Sequence, residues 1–282
     1  MPRLWPSRAV NAADDAAGPG PPAGGELWRR LAAELLGSAL LAAVVIGSGI
    51  AAQRLSADVG LELLENAAAT AAGLFAIILM FGAVSGGHFN PVVSFADAWL
   101  GGLSWRDAAV YLPAQVAGCI GGAVLANLMF SAPAVSISVK DRASAAHFLS
   151  EIVATAGLLL VIFALVRTGR ARMAPAAVGA YIGAAYWFTS STSFANPAIT
   201  VGRMFSNSFA GIAPASAPVF IGAQILGGVV AVGVIRLLYP RTVPEPAPAA
   251  PGGLDLAGQA RTAGLTAALE GDRDAPGSDR RQ

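Results

Sequence analysis

Charge and cysteine are what this chain has least of. Of its 282 residues 12% are charged, one is cysteine, two are histidine, and Lys140 alone is lysine. The single Cys119 excludes an intrachain disulfide and most cysteine metal sites. It sits beside Gly118, Gly121 and Gly122, so a packed small residue is its simplest role. A net charge of +1 removes the electrostatic case for nucleic acid as a partner. Inside the apolar stretches no nucleophile–base pair, metal cluster or nucleotide loop is visible, so neither an enzyme nor a cofactor or metal is expected.

What is present is apolar: 55% of residues are hydrophobic and the mean hydropathy is +0.61, the profile of a polytopic membrane protein. Residues 1–26 are rich in Pro, Gly and Ala and lack the apolar core of a signal peptide. They read as a disordered tail, as do residues 241–282 with Pro244, Pro246, Pro248 and Pro251. The folded part is expected over 27–240. Six stretches, near 31–52, 64–85, 108–130, 146–167, 174–191 and 216–239, reach the roughly 20 residues a span needs. Arg29, Arg30, Arg106, Arg167, Arg170, Arg172 and Arg241 fall on one side of these spans, against Arg54, Lys140 and Arg142 on the other. That bias predicts both termini in the cytoplasm.

Two Asn-Pro dipeptides, Asn90-Pro91-Val92 and Asn196-Pro197-Ala198, interrupt the apolar runs, one in each half. Asn is a favoured helix N-cap, and Pro suits the first helical position because the N–H it lacks would be unpaired there. Each dipeptide therefore predicts a helix that starts inside the bilayer, one over Asn90–Leu100 and one from Asn196 to about Phe209. Such segments cover about half a membrane thickness. Free N–H groups and a partial positive charge inside a membrane are tolerated only where they line a pathway or site.

The halves resemble each other. Glu34-Leu-Leu-Gly-Ser38 is answered by Glu151-Ile-Val-Ala-Thr155, and Asn90-Pro-Val-Val-Ser94 by Asn196-Pro-Ala-Ile-Thr200. Three spans per half turn the second copy upside down, which makes an inverted repeat of approximately 27–105 and 145–211, completed by the third and sixth spans.

These residues resemble the aquaporin, or major intrinsic protein, family. The likeness runs over about 30–240, and its most specific piece is Ser85-Gly86-Gly87-His88-Phe89-Asn90-Pro91-Val92 followed by Asn196-Pro197-Ala198. The resemblance implies an all-α membrane protein of six transmembrane helices and two re-entrant half-helices, with one pore per subunit of a homotetramer in a bacterial inner membrane. It implies that Asn90 and Asn196 donate to a passing solute oxygen. The paired half-helix termini would repel cations and oppose proton hopping, and Glu34 and Glu151 would hold the loops that carry the half-helices. His88 would be a pore-lining group or a loop-packing residue.

Departures from the family pattern bear on the solute. The family commonly continues its second motif with arginine, whereas Ile199 follows Ala198 here; Arg203 lies four residues on. Counting back from the motifs puts Thr70, Ala184 and Ser193 at the remaining filter positions, with Tyr186, Trp187 and Phe188 within a short slip of Ala184. Thr70, Ala184, Ser193 and Ile199 would make a wide, uncharged filter for neutral solutes such as glycerol or undissociated arsenous acid. The stretch from Phe188 to Thr200 also resembles a bacterial aquaglyceroporin-like subgroup associated with arsenic-resistance operons. The expected function is a passive channel for water and small neutral solutes. The rival is a secondary transporter, since inverted repeats and broken helices occur there too.

Overall fold

The structure is a computed structural model that describes residues 27–240. The two tails expected from composition lie outside the described residues. Eight α-helices follow in order: α1 Leu27–Leu55, α2 Val59–Ser85, α3 Pro91–Leu100, α4 Trp105–Met129, α5 Ala145–Arg167, α6 Ala174–Phe188, α7 Pro197–Arg203 and α8 Ala217–Leu238. The described residues contain no strand.

Local chemistry sets several of the boundaries. The side chains of Asp58, Ser104 and Ser144 accept from the backbone N–H of Leu61, Asp107 and His147, capping α2, α4 and α5. Gly86 ends α2 and Gly101 ends α3, both in the left-handed region that glycine enters at least cost.

Five helices (α1, α2, α4, α5 and α8) are long and apolar enough to cross a membrane by length and composition. The fifth expected span, 174–191, is a shorter helix than anticipated. α6 has 15 residues and is preceded by a single 3₁₀ turn, Ala171–Met173. Turn and helix together cover about 28 Å, close to a bilayer core. The helix stops at Phe188 because the chain must turn inward: Thr192, Ser193 and Ala195 all take positive φ in the loop leading to α7.

The helices pack in two matching sets, α1 on α4 and α5 on α8. A side chain at Gly118 or Gly122 of α4 would collide with the carbonyls of Leu35 and Ala39 in α1. Gly227 of α8 lies against the Ile152 carbonyl of α5 in the same way. Small residues at these positions let backbones approach closely, as membrane helices require where no hydrophobic force separates protein from lipid. Into the space between the two sets go α3 and α7, which touch at their N-terminal ends.

The half-helices are unequal. α3 keeps its expected length, but α7 has seven residues and not the roughly fourteen expected up to Phe209. Beyond Arg203 the chain breaks into turns whose carbonyls are taken by side chains. Ala210 accepts from Arg203, Phe209 from Lys140 and Arg142, and Gly211 from Arg142. Those bonds satisfy the backbone without a helix.

Candidate solute pathway

Asn90 and Asn196 each do two things at once. The side-chain oxygen of Asn90 accepts from Val92 N–H at 3.0 Å, and that of Asn196 from Ala198 and Ile199 N–H at 2.9 and 3.2 Å, capping α3 and α7. The amide nitrogen of each reaches the opposite loop. Asn90 Nδ2 donates to the Ala195 carbonyl and Asn196 Nδ2 to the Phe89 carbonyl, both at 2.7 Å. An amide has two N–H bonds, so one per asparagine remains without a protein acceptor among the described residues, and both asparagines line the main cavity.

The carbonyls they meet belong to strained residues. Phe89 and Ala195 sit at φ 49° and 48°, a conformation that costs a non-glycine residue of order 1–3 kcal/mol and persists only when its surroundings hold it. Buried glutamates supply the hold. Glu34 accepts from His88 N–H at 3.0 Å and Phe89 N–H at 2.7 Å; Glu151 accepts from Phe194 N–H at 2.9 Å and Ala195 N–H at 2.8 Å.

Two glutamines complete this arrangement, and sequence reasoning missed them. Gln115 Nε2 donates to Glu34 at 2.8 Å and to Ser94 Oγ at 3.0 Å, while Gln224 Nε2 donates to Glu151 at 2.7 Å and to Thr200 Oγ1 at 2.9 Å. Ser94 and Thr200 donate in turn to the carbonyls of Asn90 and Asn196. Glu, Gln, hydroxyl and Asn thus recur in the same relation in both halves. A lone Gln in each of α4 and α8 was the available signal.

A cavity of about 640 Å³ runs past both asparagines. Thr70, Ser193 and Ile199 line it, but Ala184 is exposed elsewhere and does not. Tyr186, two residues on, takes that place, its hydroxyl 3.1 Å from Thr70 Oγ1. Two residues turn a helix by about 200°, so counting back through an irregular loop carried the position to the wrong face. Ser193 Oγ is buried and makes no hydrogen bond within the protein. Val92, Pro91, Pro197 and Ala198 start the half-helices and do not line the cavity. His88 lines it away from Ile199's end, with Nδ1 3.0 Å from Ser94 Oγ and Nε2 3.6 Å from Asp97.

Arg203 lines the cavity one turn beyond Ile199, buried, with Nε donating to the Ala210 carbonyl. Its guanidinium carbon lies 3.3 Å from the centre of the Phe194 ring. Arg142 reaches the other side of this cluster, donating to Gly211 and Phe209 carbonyls and lying 5.2 Å from the same ring. Burial lowers Arg142 to about 10. Burial, with repulsion from Arg142 and Arg203, lowers Lys140 to about 8.

Half-helices joined N-terminus to N-terminus across an open cavity, inside a bundle of apolar spans, define a membrane channel. A family model described as "Major intrinsic protein" matches residues 24–193, and the chain belongs to that family. It is 49% identical over 230 residues to the aquaglyceroporin AqpS of Rhizobium meliloti, covering 79% of this chain and 98% of that protein. It is 31% identical over 263 residues to the glycerol uptake facilitator protein of Pseudomonas aeruginosa, covering 78% and 92%. The X-ray structure of the aquaglyceroporin from Plasmodium falciparum superposes with a TM-score of 0.59 at 20% identity, over 75% of this chain and 96% of that one, which speaks for the shared fold. The chain is an integral membrane channel and not an enzyme, and its relatives do not favour the transporter alternative.

Proposed function

We propose that this channel conducts water and small uncharged hydroxylated solutes, glycerol first and undissociated arsenous acid as a member of the same chemical class. The observation that carries this reading is the cavity wall formed by Thr70, Tyr186, Ser193 and Ile199. Three hydroxyls stand beside one aliphatic side chain. A hydroxyl both donates and accepts, which matches a solute whose own OH groups do both. An arginine after Ala198 would add donors and positive charge; Ile199 adds neither. Names of the relatives, an aquaglyceroporin and a glycerol uptake facilitator, support the same class of solute.

Asn90 and Asn196 then orient the solute with their spare N–H bonds, and the two half-helix N-termini set a positive barrier against cations. Glu34 and Glu151 hold the loops, and His88 serves as a hydrogen-bonding group of the opposite half of the cavity. Both termini face the cytoplasm of a bacterial inner membrane, a reading supported by the arginine bias, and four copies assemble as the family resemblance implies.

Stopped-flow light scattering on proteoliposomes tests the solute. Glycerol should enter faster than into empty liposomes, and Ile199→Arg should lower glycerol flux several-fold more than water flux. Equal losses of both, or glycerol entry at the empty-liposome rate, would sink the reading.

A further inference from the structure

A second cavity, of about 210 Å³, opens where α5 and α8 end and α3 turns back, far along the bundle from Ile199. Arg167, Arg236, Trp99 and Tyr239 are among its lining residues, and no acid is among the described ones. Arg236 Nη2 donates to the Trp99 carbonyl at 3.2 Å and its guanidinium carbon lies 5.7 Å from the Trp99 ring centre. The Arg167 guanidinium and the Tyr239 hydroxyl make no hydrogen bond or ion pair with a described residue.

Two guanidinium groups around one hollow repel each other, and no counter-charge stands among the described lining residues. An anion able to accept several N–H bonds would offset both, and a phosphate offers the matching oxygen geometry. The surroundings choose between a free phosphate and an anchored one. Trp99 and Leu100 belong to the lining itself, and Trp99 is 45% exposed. Apolar side chains beside a cationic hollow at the end of membrane spans suit an amphipathic ligand. A free phosphate would gain nothing from them.

We propose that this cavity seats the phosphate of an anionic phospholipid. Arg167 and Arg236 supply the charge, the Tyr239 hydroxyl supplies a further donor, and the exposed Trp99 borders the acyl chain. The site depends on the protein being embedded in a membrane, not on which solute the pore conducts.

The full-length protein in detergent would be titrated with phosphatidylglycerol, phosphatidylcholine and inorganic phosphate, reading bound lipid by native mass spectrometry alongside the unfolding midpoint. Phosphatidylglycerol should bind saturably and raise the midpoint, while the other two at equal concentration should not. Arg167→Gln, which breaks no bond to a described residue, should weaken phosphatidylglycerol about fivefold, and adding Arg236→Gln about 25-fold in total. Arg167→Lys should retain most of the affinity. All variants should keep wild-type water flux in phosphatidylcholine vesicles, which reports a folded pore. Equal binding of the two lipids, competition by inorganic phosphate at matching concentration, or unchanged affinity in the double variant would overturn the proposal.

Discussion

An asparagine amide can satisfy a helix end with its oxygen while both N–H bonds of its nitrogen work elsewhere, which an aspartate cap, an acceptor only, cannot do. Asn90 and Asn196 use that property to the full: oxygen to their own half-helix, one N–H to the opposite loop, one N–H left over. Ser193 is a different case, a buried hydroxyl in the cavity wall with no protein partner. Leaving such a group unpaired costs about 1–3 kcal/mol. Ser193→Ala should therefore leave the unfolding midpoint level or raise it, yet lower glycerol flux relative to water flux. A midpoint loss with the flux ratio unchanged would mark the hydroxyl as structural. Residues tied to a dipeptide or to a repeated spacing, such as Asn90, Asn196, Glu34 and Glu151, were legible in the sequence. Gln115 and Gln224 were not, and Tyr186 was legible only as one of three aromatics within a short slip of Ala184. Each glutamine is the single Gln of an apolar helix, and the direction of all three side chains depends on helix phase, which is lost wherever the chain leaves regular geometry.

At the level of elements, the order of the spans followed from hydropathy and the half-helix starts from the Asn-Pro dipeptides, whereas two lengths followed from neither. α7 is half its expected extent because side chains, which carry no periodic signal, satisfy the backbone beyond it, and α6 ends early where the chain turns inward toward α7. Close approach of α4 to α1 is the tightest backbone-to-backbone constraint between the described helices. Gly122 faces the Ala39 carbonyl with no room for a Cβ. Gly122→Leu should cost about 1–3 kcal/mol or more through forced separation of the pair. Thermal unfolding in detergent reads this directly. The same change at Gly121, which has open space around it, should be near neutral.

For the molecule as a whole, charge is sparse but gathered. Lys140, Arg142 and Arg203 all bond one short segment, Phe209–Gly211. Lys140 loses its proton near pH 8 in the folded protein and near 10.5 when unfolded. Between those values the unfolded chain binds more protons, so stability should rise with pH from about 8 to about 10.5 and be level below about 8 with respect to this group. Lys140→Met should flatten that slope in pH-dependent unfolding; an unchanged slope would assign it to another group.

The reciprocal bonds between the two loops have the form of a two-fold interface, donor to acceptor and acceptor to donor, written into a single chain. Injury there is exchanged. Removing the Asn90 amide takes nothing from the Phe89 carbonyl beside it, which Asn196 holds. It strands the carbonyl of Ala195 instead, so each half of the protein carries the other half's weak point.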